Sequence, residues 1–340
     1  MSESKTVSFL SPEEIATRSI ADAAFIRHPE SHIFRDRELR LRQLAAGHAM
    51  RDYLIFMADL AAAQHQVLQK NRAVTLPDLE MLQEAQSLGL APLTPTRFKR
   101  SSQWRDDLQD ILQLLLQQLP EGAARTVAES LSQAEPDHVD RQADRLLTGV
   151  MLGLDLGTAP LIGAALQVHW MRLIAQTRAQ HGEKVFGLVD DTTHCPCCGG
   201  KPVASILRVG GDATGTRYLH CSLCQTQWHM VRIKCTHCLS TKGIAFQSLL
   251  AQDGSEPPAT GAKKDAVQVE TCDECGHYLK IVNMPKDLYV EPVADDLASL
   301  TLDLLVSDAG KQRHGVNFML LFGAPDDDAS TGASEPEPGG

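Results

Sequence analysis

Cysteine is missing from the first 194 of the 340 residues. Also missing is a basic cluster followed by an apolar stretch: Met1 to Leu10 reads MSESKTVSFL. Such an opening predicts no secretory signal, hence a soluble protein of the reducing cytoplasm. No uncharged apolar run reaches the ~18–20 residues that a membrane-spanning helix needs. The most apolar stretch, Leu146 to Leu173, is broken by Asp155, Pro160, Gln167, His169 and Arg172, and reads better as a buried helix pair turning near Gly157–Pro160. Positive charge is in deficit, 32 Lys and Arg against 43 Asp and Glu, a net of -11. That balance argues against a generic nucleic-acid binder and against attraction to an anionic membrane. No Gly-x-Gly-x-x-Gly or Walker A pattern occurs, and Gly210-Gly211-Asp212 is a hairpin turn rather than a phosphate cradle. No Ser/His/Asp order or paired-carboxylate motif stands out. Asp190-Asp191 and Asp295-Asp296 read as caps or solvated charges, so no catalytic residue is assigned and no enzyme is expected.

What is present suits a globular protein of two domains, with 43% apolar and 22% charged residues. The expected fold is α+β, a helical bundle over residues 1–185 and a metal-binding domain over 186–324, ending in a disordered acidic tail over 325–340. Ser11-Pro12-Glu13-Glu14 is a helix start, with Ser as N-cap and Pro at the first position. Asp36 to Gln69 carries Leu39, Leu41, Leu44, Met50, Leu54, Phe56 and Met57 near helical spacing, with a break near Gly47. Thr75-Leu76-Pro77-Asp78 opens another helix. Trp104 to Leu119 has an apolar stripe of Leu108, Ile111, Leu112, Leu115 and Leu116, closed by Pro120-Glu121-Gly122. Helices are then expected around 122–133, 137–153 and 159–180. About seven to nine helices in all would form the bundle. After Gly182 the texture becomes strand-like: Val203 to Val209, Arg217 to His220, Gln227 to Ile233, Ile244 to Leu250, Val267 to Thr271 and His277 to Val282. Residues 251–265 are a Gly/Pro/charged loop, and Pro292 to Ser307 is one more helix.

All nine cysteines fall between positions 195 and 275, eight of them in four Cys-x-x-Cys pairs: Cys195/Cys198, Cys221/Cys224, Cys235/Cys238 and Cys272/Cys275. One knuckle offers one ion two sulfurs, and two knuckles complete a tetrahedron with bonds of about 2.3 Å. Eight ligands make two four-sulfur sites. Segments 199–220 and 239–271 separate paired knuckles, and each can hold a hairpin that returns the second knuckle to the first. The sequential pairing, 195/198 with 221/224 and 235/238 with 272/275, is favoured over an interleaved cross-brace. Gly199 and Gly276 follow two knuckles, where a left-handed turn aims N–H groups at the sulfurs. Disulfides do not suit a chain without a secretory signal, and redox Cys-x-x-Cys usually occurs once, at a helix start. Closed four-thiolate shells leave no position for water or substrate, so the sites read as structural or redox elements. Spacing alone leans to zinc over iron; Cys195-Pro196-Cys197-Cys198-Gly199 resembles a rubredoxin iron loop. Cys197 reads as a small buried residue. His194, His220, His229, His237 and His277 flank the knuckles as supporting or surface residues.

Arg217-Tyr218-Leu219-His220-Cys221-Ser222-Leu223-Cys224, with Trp228, Arg232 and the third knuckle, resembles the core of the formate dehydrogenase accessory proteins, the FdhE family. Cys272-Asp273-Glu274-Cys275-Gly276-His277-Tyr278-Leu279-Lys280, the block from Glu291 to Leu300, and Arg40 to Leu54 are similar to family segments too. The resemblance covers about residues 10–322. It implies a cytoplasmic maturation factor, chaperone-like and non-enzymatic. Such a factor binds the catalytic subunit of respiratory formate dehydrogenase before its twin-arginine export. The resemblance also implies two rubredoxin-like iron sites on the eight paired cysteines, which turns the metal from zinc towards iron. The third residue of the first knuckle, Cys197, and the missing Pro in Asn317-Phe318-Met319 depart from the family pattern, as does the acidic tail. Two rivals stand beside this reading. One is a rubredoxin-type electron carrier. The other is a zinc-ribbon nucleic-acid module, for which residues 191–250 carry six basic and two acidic side chains but no recognition helix. Arg217, Tyr218, Trp228 and Arg232 are candidates for partner contact, although Tyr218 and Trp228 fit a ribbon core better. The sequence leaves a homodimer open.

Overall fold

The computed structural model describes residues 24–210, 213–249 and 265–321. The helix start at Ser11–Glu14, nearly all of the 251–265 loop and the acidic tail lie outside the described residues.

Among the described residues seven helices precede the cysteines: α1 (Ile33–Ala45), α2 (Arg51–Gln69), α3 (Leu79–Ser87), α4 (Trp104–Leu116), α5 (Ala123–Ser132), α6 (Pro136–Thr148) and α7 (Ala159–His181). The break between α1 and α2 comes at Gly47, which adopts φ 73 as the sequence led one to expect. α6 ends on Gly149 in the left-handed conformation, the usual glycine C-cap. Every residue of α7 from Ala159 to Ile174 is buried, which explains why this helix carries no polar stripe. Among its buried polar groups, Gln167 and Arg172 tie elements together, while the Thr177 hydroxyl and both ring nitrogens of His169 have no hydrogen-bond partner. Gln167 accepts from Gln64 of α2 at 2.8 Å and donates to the Ser222 carbonyl at 2.7 Å. Arg172 pairs with the buried Asp107 of α4 at 2.5 Å, a carboxylate it shares with Arg72.

Eight short strands among the described residues make one sheet: β1 (Ile26–Arg27), β2 (Pro202–Leu207), β3 (Arg217–Cys221), β4 (Gln227–His229), β5 (Ile244–Gln247), β6 (Val267–Cys272), β7 (His277–Asn283) and β8 (Gln312–Arg313). The order is β1-β4-β3-β2-β7-β6-β5, with β8 alongside β7. Each cysteine ribbon is antiparallel, β2–β3–β4 in the first and β5–β6–β7 in the second. A parallel pairing of β2 with β7, Ser205 opposite Ile281, fuses them into a continuous sheet rather than leaving two separate ribbons. The expected strand Gln227–Ile233 stops at His229, because the chain turns outward there and exposes Val231 and Ile233.

The expected helix Pro292–Ser307 is two helices, α8 (Pro292–Ala298) and α9 (Leu300–Asp308), interrupted at Ser299. The Ser299 hydroxyl bonds back to the Asp295 carbonyl at 2.7 Å and competes with the helix ladder. α8 is wedged between α1 and strands β2 and β7. Here the reading of Asp295 and Asp296 as solvated charges is overturned, since both are buried, while Asp295 does cap the start of α8, accepting from the Glu291 N–H at 2.8 Å. Asp295 holds Arg40 of α1 at 2.6 Å; Asp296 holds Arg313 at 2.7 Å and receives Asn317 at 2.8 Å. Lys280 of β7 reaches Asp303 and Asp296 from inside the sheet. Burial pushes the Asp296 carboxyl up, but Arg313 and Lys280 more than reverse this and leave it below the usual range. Buried ion pairs contribute little net stability after desolvation. Their effect here is to fix how α1, α8 and the sheet meet.

Candidate metal centres

The first and second cysteine pairs converge, as do the third and fourth, so the sequential pairing is the one observed. Cys195 Sγ lies 3.5 Å from Cys224 Sγ, and Cys198 Sγ 3.4 Å from Cys221 Sγ. In the second cluster Cys235–Cys275 is 3.7 Å and Cys238–Cys272 is 3.8 Å. All eight are free cysteines. A tetrahedron with 2.3 Å metal–sulfur bonds has edges of about 3.8 Å. The donor set and spacing therefore fit one four-thiolate metal ion per cluster, and zinc and iron both accept that geometry.

The knuckles share one local device. The residue after each second cysteine is left-handed: Gly199 (φ 68), Gln225 (φ 62), Leu239 (φ 61) and Gly276 (φ 72). The two glycines were legible from sequence; Gln225 and Leu239 were not, since only tertiary contacts hold a side chain there. The turn folds backbone N–H groups onto sulfur: Leu223 and Cys224 donate to Cys221 Sγ at 3.4 Å, and His237 to Cys235 Sγ at 3.4 Å.

Gln225 shows what pins the first knuckle. Its amide nitrogen donates to the carbonyls of Ser222 and Leu223 at 3.2 and 3.1 Å. Its Oε1 accepts from Arg37 of α1 at 2.5 Å and from His220 at 3.1 Å. An amide oxygen only accepts, so His220 donates through Nε2, and its Nδ1 accepts from Gln227 at 3.1 Å. The ring is thus a neutral tautomer, and burial lowers its pKa in agreement. Arg37 also pairs with Glu291 at 3.0 Å, whose other oxygen caps α8 through the Ala294 N–H at 2.7 Å. One buried guanidinium therefore joins the first helix, the first cluster and the C-terminal helices.

The clusters differ in exposure. All four cysteines of the first are buried. Burial pushes the Cys195, Cys198 and Cys224 thiols up; at Cys221 burial opposes ionisation too, but contacts from Cys195, Cys198 and Cys224 bring it below its ordinary value. A dry nest of thiols of this kind favours a compensating cation. Cys197 is buried, as read from the sequence, and its carbonyl accepts from Leu93 N at 2.9 Å. Trp170 Nε1 bonds the Leu93 carbonyl at 3.2 Å, so this knuckle is seated on the helical part. In the second cluster Cys238 is exposed and Cys275 half-buried.

Of the flanking histidines, His194 turns to Asp191 at 2.8 Å, which also accepts from Thr193, so Asp191 is the local cap expected. His237 and His277 stack at 3.6 Å beside the second cluster, and His314 packs edge-on against His237 at 5.2 Å. His314 had no signal in the sequence, being 37 positions from His277 and in no motif. Arg217, Tyr218 and Trp228, offered as partner contacts, are all buried: Arg217 pairs with Glu270 at 2.7 Å, and Trp228 Nε1 bonds the Thr192 carbonyl at 2.9 Å. Arg232 alone of the four is exposed. No helix among the described residues is long and apolar enough to cross a membrane.

Three family models match this chain. They describe the N-terminal, central and C-terminal domains of FdhE, at residues 23–185, 194–232 and 233–320. The first cluster falls inside the central segment and the second inside the C-terminal one. An FdhE homolog from Serratia proteamaculans is 37% identical over 296 residues, 86% of this chain and 89% of the relative. One from Haemophilus influenzae (strain PittGG) is 36% identical over 309 residues, 91% and 95% of the two chains. The crystal structure of the FdhE protein from Pseudomonas aeruginosa is 34% identical and superimposes with a TM-score of 0.73, covering 88% of this chain and 100% of that one.

Proposed function

The chain belongs to the FdhE family, and on that premise we propose that it is a non-enzymatic accessory factor for formate dehydrogenase maturation. In this reading it works in the cytoplasm and binds the catalytic subunit before twin-arginine export. Cys195, Cys198, Cys221 and Cys224 hold one metal ion and Cys235, Cys238, Cys272 and Cys275 a second, iron in both. The observation that carries the reading is that similarity runs through all three FdhE segments and takes in both four-cysteine clusters.

The residues suggest distinct tasks for the two centres. The first, buried and tied through Gln225, Arg37 and Glu291, braces the helical part against the sheet. The second has one exposed and one half-buried sulfur, so it meets solvent or a partner. Iron, when bound there, supplies a one-electron couple; zinc supplies bracing only. That exposure also favours a second reading, a rubredoxin-type electron carrier, which requires a reversible visible absorbance change. The test of the first reading is retention of a formate dehydrogenase catalytic subunit by the metal-loaded protein in a pull-down. Retention supports it; no retention, together with normal formate dehydrogenase activity in a deletion strain, overturns it.

A further inference from the structure

A groove of about 1200 Å³ is bounded by residues 24–30, α1, the first ribbon and the segment before α8. Its floor is the polar cover of the first knuckle, with His220, Gln225 and Gln227. Two cations share this floor. Arg27 of β1 stands opposite Gln227 of β4 in the sheet register, its guanidinium 5.8 Å from the Tyr218 ring. Arg208, just past β2, donates to Gln227 Oε1 at 2.8 Å. Arg208 thus bonds Gln227 directly, while Arg27 faces the same residue across the β1–β4 pair. Burial and then the charge of Arg27 hold Arg208 below its ordinary pKa.

Neither arginine has a carboxylate within ion-pair distance among the described residues. Arg37, Arg40, Arg72, Arg172, Arg217 and Arg313, by contrast, are all paired. Glu30, whose charge reaches Arg208, is turned to His32 at 3.3 Å. Two like charges held together without a counter-ion are unfavourable unless an anion arrives. The groove's rim is apolar and exposed: Leu188 is 69% accessible, Leu288 63% and Tyr289 72%. Small-molecule sites run to about 300–1,000 Å³ and bury most of their lining; a larger, open, apolar-rimmed trough suits a length of polypeptide. β1 is moreover the terminal strand of the sheet, paired on one side only among the described residues, so its outer edge can take another strand.

We propose that this groove receives an extended acidic segment of the partner protein, with a carboxylate of that segment bound between Arg27 and Arg208 and its apolar side chains on Leu188, Leu288 and Tyr289. The inference rests on the partner-binding reading above and names the surface and chemistry of that contact.

The experiment measures binding of a formate dehydrogenase catalytic subunit to the metal-loaded full chain. It compares wild type, the double variant Arg27→Gln/Arg208→Gln, and Arg51→Gln, which removes an exposed arginine at the start of α2. The double variant should weaken binding about 10- to 100-fold and flatten its salt dependence, because two charge-assisted contacts are lost. Arg51→Gln should leave affinity unchanged, and Arg208→Lys should restore part of it. A photo-crosslinker at Leu288 should trap a stretch of the subunit that contains Asp or Glu. If wild type itself fails to bind, the partner reading fails and the groove assignment falls with it. If wild type binds and the double variant binds equally well, or the crosslink lands on a stretch without an acid, the groove assignment alone is overturned. Competition by single-stranded RNA that the double variant abolishes, with subunit binding intact, also overturns it. Urea melts and metal content of the double variant matching wild type exclude misfolding as the cause of any loss.

Discussion

Adding one methyl group at Gly199 should separate backbone strain from steric conflict at the first cluster. Gly199 and Gly276 occupy equivalent places, each directly after a knuckle's second cysteine, with φ 68 and 72. An L residue in that conformation costs about 1 kcal/mol. A Cβ at Gly276 meets nothing within 4 Å, so Gly276→Ala should cost only that strain. A Cβ at Gly199 would lie 2.5 Å from Thr94 Cγ2, well inside contact distance. Thr94 cannot easily turn aside: it is β-branched, and the neighbouring Leu93 is anchored to the Cys197 carbonyl at 2.9 Å. Overpacking of this kind costs about 1–3 kcal/mol, so Gly199→Ala should lose about 2–4 kcal/mol in total. Thr94→Ser removes the offending methyl and leaves Thr94 Cβ as the next neighbour at 3.5 Å, an ordinary contact. The double variant should therefore recover the steric part, a coupling of about 1–3 kcal/mol in a double-mutant cycle. Urea melts of the four proteins, each loaded with two equivalents of metal, supply the values. Equal losses for Gly199→Ala and Gly276→Ala, or no coupling to Thr94, would refute the seating of this knuckle on the helical part.

Arg37→Ala should cost about 3–5 kcal/mol in a urea melt, since it leaves the buried Glu291 without its cation; a loss under 1 kcal/mol would contradict the bracing role. The second cluster should surrender metal first: with zinc loaded and a chromophoric chelator added, about one equivalent should leave fast and one slowly, and Cys238→Ser should abolish the fast phase. Single-phase release in the wild type would count against the difference in exposure. His169, buried in α7 with neither ring nitrogen bonded, has its pKa lowered to about 4 by burial and then by Arg172. The unfolded chain takes up a proton below about 6.5 and the folded one does not, so this contribution is full above pH 6.5 and is lost as pH falls towards 4. The loss is about 3 kcal/mol, and His169→Leu should remove it: the stability difference between the two proteins should widen in the variant's favour across that window. A constant difference would show that the ring is protonated in the fold.

The cluster residues were legible because knuckle spacing is a local property: three residues bring two sulfurs together whatever surrounds them. The sequential pairing followed from segments of hairpin length between the knuckles. The helix boundaries at Gly47 and Asp78 were equally local, whereas the helix expected over 137–153 ends earlier, at Thr148, on the left-handed Gly149. What escaped the sequence depends on distant partners. Asp295 and Asp296 look like solvated charges until Arg40, 255 positions away, and Arg313 close over them. Gln225 has no intrinsic reason to be left-handed; Arg37 and His220 hold it so. Tyr218 and Trp228 lie in the core, the reading the sequence favoured, whereas Arg217, a candidate for partner contact, is buried against Glu270, 53 positions away. The two-residue strand β1 is too short to leave any alternation, and it is visible only through its pairing with Gln227 and Trp228.

The central claim, two closed four-cysteine metal centres in an FdhE-family protein, is tested most directly by metal content joined to X-ray absorption on protein purified anaerobically from its own host. The account predicts two metal ions per chain, each with four sulfur neighbours at about 2.3 Å, and an iron edge. Fewer than two ions, or a first shell containing nitrogen or oxygen in place of sulfur, would contradict it.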